Sequence, residues 1–300
     1  MSACFLTITV LTYNSEKYVL ETLESISKQA RKDIQIVISD DCSEDKTVDI
    51  IKEWISENDS KFMEVTLLTA IENQGVVKNK QKTFSYIKGH YLKGLAGDDK
   101  LAENAIEYIK KDISNFPESE IILGKVNWFG ENINPNTIII RNEITQKLDS
   151  INHQIEYLLN GYHYPAIGFL YKTSFITQAG LFDERFKNME DIGLHLRFLT
   201  EKKQIQFSDN IYVFYRKHNK NLSTLKSNEV LSAIQIDYLN VILEFSKKYG
   251  KRKYILNTKW NLFLSKLIFR FGNKGFLCKQ INKIRTTFQP KKIYNLFSNE

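Results

Sequence analysis

The chain has 300 residues, 42% of them hydrophobic and 26% charged, enough apolar material for a sizeable core. No run reaches the roughly 18 apolar residues of a membrane-spanning helix, and Phe5–Leu11 lacks the basic lead-in of a signal peptide. The net charge of +7 conceals an asymmetry: residues 245–300 hold 14 Lys/Arg and one acid, Glu300, whereas the preceding chain is acidic on balance. The cysteines Cys4, Cys42 and Cys278 form no CxxC pair and no zinc motif, which predicts a reduced, cytosolic protein.

In chain order, Phe5–Leu11 reads as a buried strand that ends at Thr12-Tyr13-Asn14. Apolar residues at helical spacing then predict a helix over Tyr18–Ala30. Ile34–Ser39 is a second strand, stopping at Asp40-Asp41, and Val48, Ile51, Trp54 and Ile55 mark the next helix. Val65–Thr69 is a third strand, followed by a helix carrying Phe84 and Ile87; Tyr91–Ala96 is a fourth, ending at Gly97-Asp98-Asp99. Strands alternating with helices predict a mainly parallel sheet, and such sheets bind ligands outside the carboxyl ends of their strands. The polar clusters at 12–14, 40–41 and 97–99 all fall at those ends. Further on, Ile121–Val126, Thr137–Ile140, Ile167–Tyr171 and Ile211–Arg216 read as strands, Thr173–Ala179 and Asp191–Glu201 as helices. Beyond residue 228 the pattern is helical almost throughout. The expected organisation is one unit over 1–224, divided near residue 100, then a basic helical extension over 225–300.

Each acidic cluster has a chemical and a structural reading. Asp98 and Asp99 at a strand terminus repel each other unless a cation neutralises them, and a hard divalent ion shared with phosphate oxygens meets that need. A turn with a helix cap uses the same residues. Asp40-Asp41 can bond a base or ribose, or cap the following helix. Glu190-Asp191 opens a helix, where acids favour the dipole in any case; as chemistry, neighbouring carboxylates raise each other's proton affinity, which suits a general base. Arg216 and His218 follow a strand, one able to hold a diphosphate and the other a metal.

Taken together these segments resemble the family-2 glycosyltransferases of the GT-A fold, over about Thr7 to Ser223. Thr7–Asn14 resembles the opening strand and nucleotide loop, with Thr12, Tyr13 and Asn14 on the donor. Ser39–Thr47 resembles the second-strand motif, in which Asp41 would contact the base. Asn73-Gln74-Gly75 resembles Asn-x-Gly, with Lys78 or Lys80 as the basic residue that follows it. Gly97-Asp98-Asp99 resembles the metal motif, with Gly97 where many members carry another Asp. Gly180–Glu184 with Glu190-Asp191 resembles the acceptor side, and Tyr215-Arg216-x-His218 a closing motif.

The resemblance implies an inverting, bacterial polysaccharide-building enzyme that uses a nucleotide-diphosphate sugar, with uridine diphosphate as the expected carrier, and a saccharide or lipid-linked acceptor. Asp99, helped by Asp98 and His218, would hold Mn²⁺ or Mg²⁺; Asp191 would be the base, with Glu190 beside it on the acceptor side; Asp98, Arg216, Asn73, Lys78 and Lys80 would face the donor. The basic segment 245–300 has two readings, a helix lying on anionic lipid at the inner face of the membrane and a subdomain packed on the body. A dehydrogenase would need GxGxxG after the first strand, and a sugar-nucleotide pyrophosphorylase a glycine-rich phosphate loop; Thr12-Tyr13-Asn14-Ser15 offers neither. A nucleic-acid-binding role would explain the basic tail but not acids at the strand ends, which repel phosphate, so no nucleic acid is expected as a partner.

Overall fold

The computed structural model describes residues 4–130, 142–187, 189–218, 221 and 228–271. The alternating pattern of the first hundred residues becomes β1 (Leu6–Thr12), α1 (Val19–Ser27), β2 (Ile34–Asp40), α2 (Thr47–Asn58), β3 (Glu64–Thr69), α3 (Val76–Thr83) and β4 (Tyr91–Ala96). There follow β5 (Lys100–Leu101), α4 (Ala105–Asn115), β6 (Ile121–Gly130), α5 (Asn142–Thr145), α6 (Ile151–Leu159), β7 (Phe169–Lys172), α7 (Thr173–Gln178) and α8 (Glu190–Thr200). The described chain closes with β8 (Gln206–Lys217), α9 (Asn228–Lys248) and α10 (Arg252–Phe271).

The eight strands form one sheet in the order β3-β2-β1-β4-β7-β6-β8-β5. β1 to β4 run parallel; β7 is antiparallel to both β4 and β6, so β6 and its parallel partner β8 point the same way as β4. Six carboxyl termini, at Thr12, Asp40, Thr69, Ala96, Gly130 and Lys217, therefore share one edge of the sheet. β1 and β2 are buried along nearly their whole length, as a central parallel strand requires. One face packs Leu6, Ile8, Val10, Ile36 and Ile38 against α1, α2 and α4, anchored by Trp54 and Phe62. The other packs Leu92, Ile121, Leu123, Phe169 and Tyr171 against α6, α7, α8 and α9. Each fully buried large apolar side chain in these layers contributes about 1.5–3 kcal/mol.

Several expectations shift in detail. α3 ends at Thr83, so Phe84 lies in a following 3₁₀ turn and Ile87 in extended chain. Thr137–Ile140 lies outside the described residues. α4 and α6 are unheralded: α4 buries only Ala105, Ile106, Ile109 and Asp112, and α6 begins from a Ser150 cap whose hydroxyl accepts the His153 N–H.

The C-terminal helices dock on the body: Val241, Ile242 and Phe245 of α9 and Tyr254 of α10 join the second core. α10 buries Tyr254 and Leu264 on its inner face together with polar residues and leaves a second apolar group outside. Thr258, Asn261 and Ser265 are buried, while Leu256 (78% exposed), Trp260 (43%) and Phe263 (56%) face outward among the exposed Arg252, Lys253, Lys259 and Lys266. No helix among the described residues is long and apolar enough to cross a membrane.

Candidate active site

The loops after β1 and β2 brace each other through side chains that the sequence assigned to the donor. The Thr12 hydroxyl donates to Asp40 Oδ2 (2.7 Å), which also takes the Ser43 hydroxyl (2.6 Å). Asn14, in the left-handed region at φ 48°, donates its N–H to Ser43 and accepts the Glu44 N–H on its side chain. Thr12 is thus buried and structural, whereas the Tyr13 ring is half exposed at the carboxyl edge. Asp41 is buried, and its two oxygens accept the N–H groups of Gln74 (3.0 Å) and Gly75 (2.8 Å). That clamp requires Gly75 at φ 84°, a conformation costly for a residue with a Cβ. Asn73 accepts the same Gly75 N–H (3.1 Å), and Lys78 points into solvent. Asp41 is therefore held in place by the loop at 73–75.

Asp99, the residue expected to lead a metal contact, lies deeper than Asp98. Asp99 is fully buried, its Oδ1 accepts the Arg216 N–H (2.8 Å), and its Oδ2 meets no partner. Burial foremost, and then the neighbouring Asp98 charge, push its pKa well above the ordinary carboxylate range. Asp98 is the outward carboxylate. Its Oδ2 lies 2.9 Å from His218 Nε2 and 3.3 Å from Asn221 Nδ2, and the Asn221 side chain accepts the His218 N–H (2.6 Å). Tyr18 stacks on the His218 ring (4.8 Å) and on the Arg216 guanidinium (4.6 Å). The Arg216 guanidinium bonds the Asp98 carbonyl (2.7 Å) and Glu21 and packs on Phe129 (4.3 Å), which braces the ends of β4 and β8 against α1. Tyr18, Glu21, Asn221 and Phe129 carry no signal in sequence; α1 and the segment after β8 meet only in the fold.

Gly97 explains its own departure from the family pattern. A Cβ there would lie 2.7 Å from Thr12 Cγ2 and 3.2 Å from the Leu11 carbonyl oxygen. Gly97→Asp is expected to cost about 1–3 kcal/mol by overpacking, read as a lower thermal midpoint.

On the acceptor side, Glu190 and Asp191 open α8. Lys80 Nζ lies 2.8 Å from Glu190 Oε1 and 4.2 Å from the Phe182 ring, so Lys80, expected on the donor, faces the acid pair that opens α8. Asp191 keeps a partly exposed edge, but its carboxyl lies deep, with one oxygen accepting the Ile192 N–H (2.9 Å). Burial, then the Glu190 charge, push its pKa up to about 7, against the opposing pull of Lys80. Beneath it Tyr171 Oη and His195 Nε2 lie 3.0 Å apart, and burial holds His195 neutral, at about 3.

Asp98 Oδ2 and His218 Nε2 test whether a divalent cation fits. Their 2.9 Å separation matches the roughly 3 Å edge between adjacent ligands of an octahedral ion with bonds of about 2.1 Å. Among the described residues no third histidine, cysteine or acid joins them, so phosphate oxygens or water would complete the shell. Two surface depressions of about 390 and 410 Å³ open beside Glu120 and His90, at the amino edge of the sheet, far from these groups. The convergent chemistry lies at the carboxyl edge, and it locates the site.

The mixed central sheet flanked by helices is of the GT-A type. The chain belongs to glycosyl transferase family 2, whose family model matches residues 7–186. Glycosyltransferase GlyG of Streptococcus pneumoniae serotype 4 is 22% identical over 225 residues, 73% of each chain. Poly(ribitol-phosphate) beta-N-acetylglucosaminyltransferase TarS of Staphylococcus aureus is 24% identical over 254 residues; the match spans 80% of this chain but 42% of TarS. The crystal structure of S. aureus TarS 1–349 with UDP-GlcNAc superposes with a TM-score of 0.61 at 18% identity, covering 87% of this chain and 81% of that one. Mannosyltransferase PcManGT of Pyrobaculum calidifontis, with GDP-Man and Mn²⁺, gives 0.61 at 13% identity over 96% and 85%.

Proposed function

We propose that the protein transfers a sugar from a nucleotide diphosphate, uridine diphosphate for preference, to a saccharide or lipid-linked acceptor hydroxyl, with inversion, in cell-surface polysaccharide synthesis. The observation that carries this reading is the pairing of a metal-suited dyad, Asp98 and His218, with a separate carboxyl of raised proton affinity, Asp191. The TarS structures hold UDP-GlcNAc or UDP, which supports the choice of nucleotide. Asp98 and His218 would hold Mn²⁺ or Mg²⁺, with Asp99 and Arg216 fixing the strand ends that present them. When bound, the cation offsets the charge gathering on the departing diphosphate. Tyr13 and Asp41 face the base, and Asn73 and Lys78 lie on the same rim.

Asp191 takes the proton of the acceptor hydroxyl. That oxygen forms its bond to the anomeric carbon from the face opposite the diphosphate, whose bond breaks with the electron pair leaving on the phosphate oxygen. Product configuration tests the reading: proton NMR of early product from an α-linked donor should show a β linkage, and an α linkage would contradict inversion. Because Asp191 acts deprotonated and titrates near 7 among Glu190, Lys80, Tyr171 and His195, kcat/KM should fall tenfold per pH unit below about 7. A profile flat from pH 8 to pH 5 would remove Asp191 as the base.

The outer face of α10 supports a place at the inner face of an anionic membrane. Leu256, Trp260 and Phe263 suit shallow insertion, and each flanking base near the surface adds about 1 kcal/mol of attraction. The full protein should float with vesicles rich in anionic lipid, and Leu256→Ser with Phe263→Ser should weaken that at least about tenfold. Transfer to a soluble acceptor should be unchanged. Absence of wild-type flotation would overturn the membrane assignment.

A further inference from the structure

α3 physically joins the two halves of the site. At its start, the loop residues Gln74 and Gly75 are held by Asp41 at the end of β2. Midway, Asn79 is locked to β2 by the Ser39 hydroxyl (2.5 Å) and carbonyl (3.0 Å). At its far end, Gln81 donates to the Phe182 carbonyl (2.6 Å), and Lys80 pairs with Glu190 while resting on the Phe182 ring. Lys80 and Glu190 are largely buried, with side chains 21% and 10% exposed, so neither charge is well solvated without the other. Their pairing also settles a local conflict, since Glu190 and Asp191 are adjacent carboxyls in one helical turn and repel unless one is neutralised.

We propose that Lys80 is a positioning residue for proton transfer: through Glu190 it fixes the first turn of α8, and so the aim of Asp191, with α3 anchored on the donor side by Asp41. The inference rests on Asp191 being the base. It separates Lys80 from the donor-binding lysines, because a lysine held in this way contributes to the chemical step rather than to nucleotide affinity. Without Lys80, the Glu190 carboxylate is left part-buried beside Asp191, and the turn carrying both must rearrange. Loss of aim of about 1 Å is worth roughly 10²-fold in rate.

The test compares Lys80→Gln, Lys80→Arg and the double variant Lys80→Gln/Glu190→Gln by transfer kinetics, with uridine diphosphate and Mn²⁺ binding measured by calorimetry and folding checked by thermal melt. Lys80→Gln should lower kcat by about 10²-fold and leave nucleotide affinity within about threefold. Lys80→Arg should recover most of the rate, and the double variant should be no worse than Lys80→Gln, because both remove one interaction. If Lys80→Gln fails to fold, Glu190→Gln must show the same selective loss of kcat. Nucleotide affinity reduced tenfold with kcat unchanged would make Lys80 a donor ligand and overturn the proposal, as would losses that add in the double variant. Wild-type rates in Asp191→Asn would instead refute the base assignment itself, a distinct result.

Discussion

Asp191→Asn is expected to lower kcat by about 10²- to 10⁴-fold while nucleotide affinity stays within about twofold. The amide matches the carboxyl in shape and keeps an oxygen to accept the Ile192 N–H, so α8 should start unchanged. What it loses is the ability to take a proton. The environment makes the loss specific: burial and Glu190 raise the proton affinity of Asp191, while Lys80 keeps it low enough to be ionised above neutral pH. A carboxylate with ordinary acidity would be a weaker base. Because the loops proposed to face the nucleotide follow β1 and β2, away from α8, donor binding reports independently that the variant is folded.

The second large effect separates two neighbours that the sequence presents as a pair. Asp98→Asn should reduce the Mn²⁺-dependent gain in nucleotide affinity by at least the roughly 10- to 100-fold typical of disturbed metal sites. It removes a charged oxygen facing His218 Nε2 and leaves the fold intact. Asp99→Asn should retain that gain and lower the melting temperature instead, because Asp99 is sealed in the protein and holds the Arg216 N–H. Calorimetry with and without chelator, beside a thermal melt, reads both. Loss of the metal response in Asp99→Asn with retention in Asp98→Asn would restore the order expected from sequence.

The different burial of these two neighbours could not be read from the chain. β1, β2 and β4 were legible because short runs rich in apolar and β-branched residues alternate with helical patterns, and each run is followed by a polar cluster at the carboxyl edge, where such sheets bind ligands. Which member of Asp98-Asp99 points outward depends on the strand pairing that brings Arg216 over position 99, more than a hundred residues away. Lys80 is the same case: its spacing after Gly75 suggested the donor, but the docking of α8 on α3 hands its ammonium to Glu190. Gly97 read as a departure from a motif and is a packing requirement imposed by Thr12. The basic tail showed its charge but not that α10 leaves Leu256, Trp260 and Phe263 outside while burying Thr258, Asn261 and Ser265 beside Tyr254 and Leu264. Helical spacing gives a face, and only the docked partner says which way it looks.

If nucleotide diphosphate binds through the Asp98–His218 dyad, titrating uridine diphosphate into the protein with Mn²⁺ should give micromolar binding that chelator abolishes in the wild type, and Asp98→Ala should show no dependence on Mn²⁺. Equal affinity with Mn²⁺ and with chelator, in both proteins, would contradict that role for the dyad.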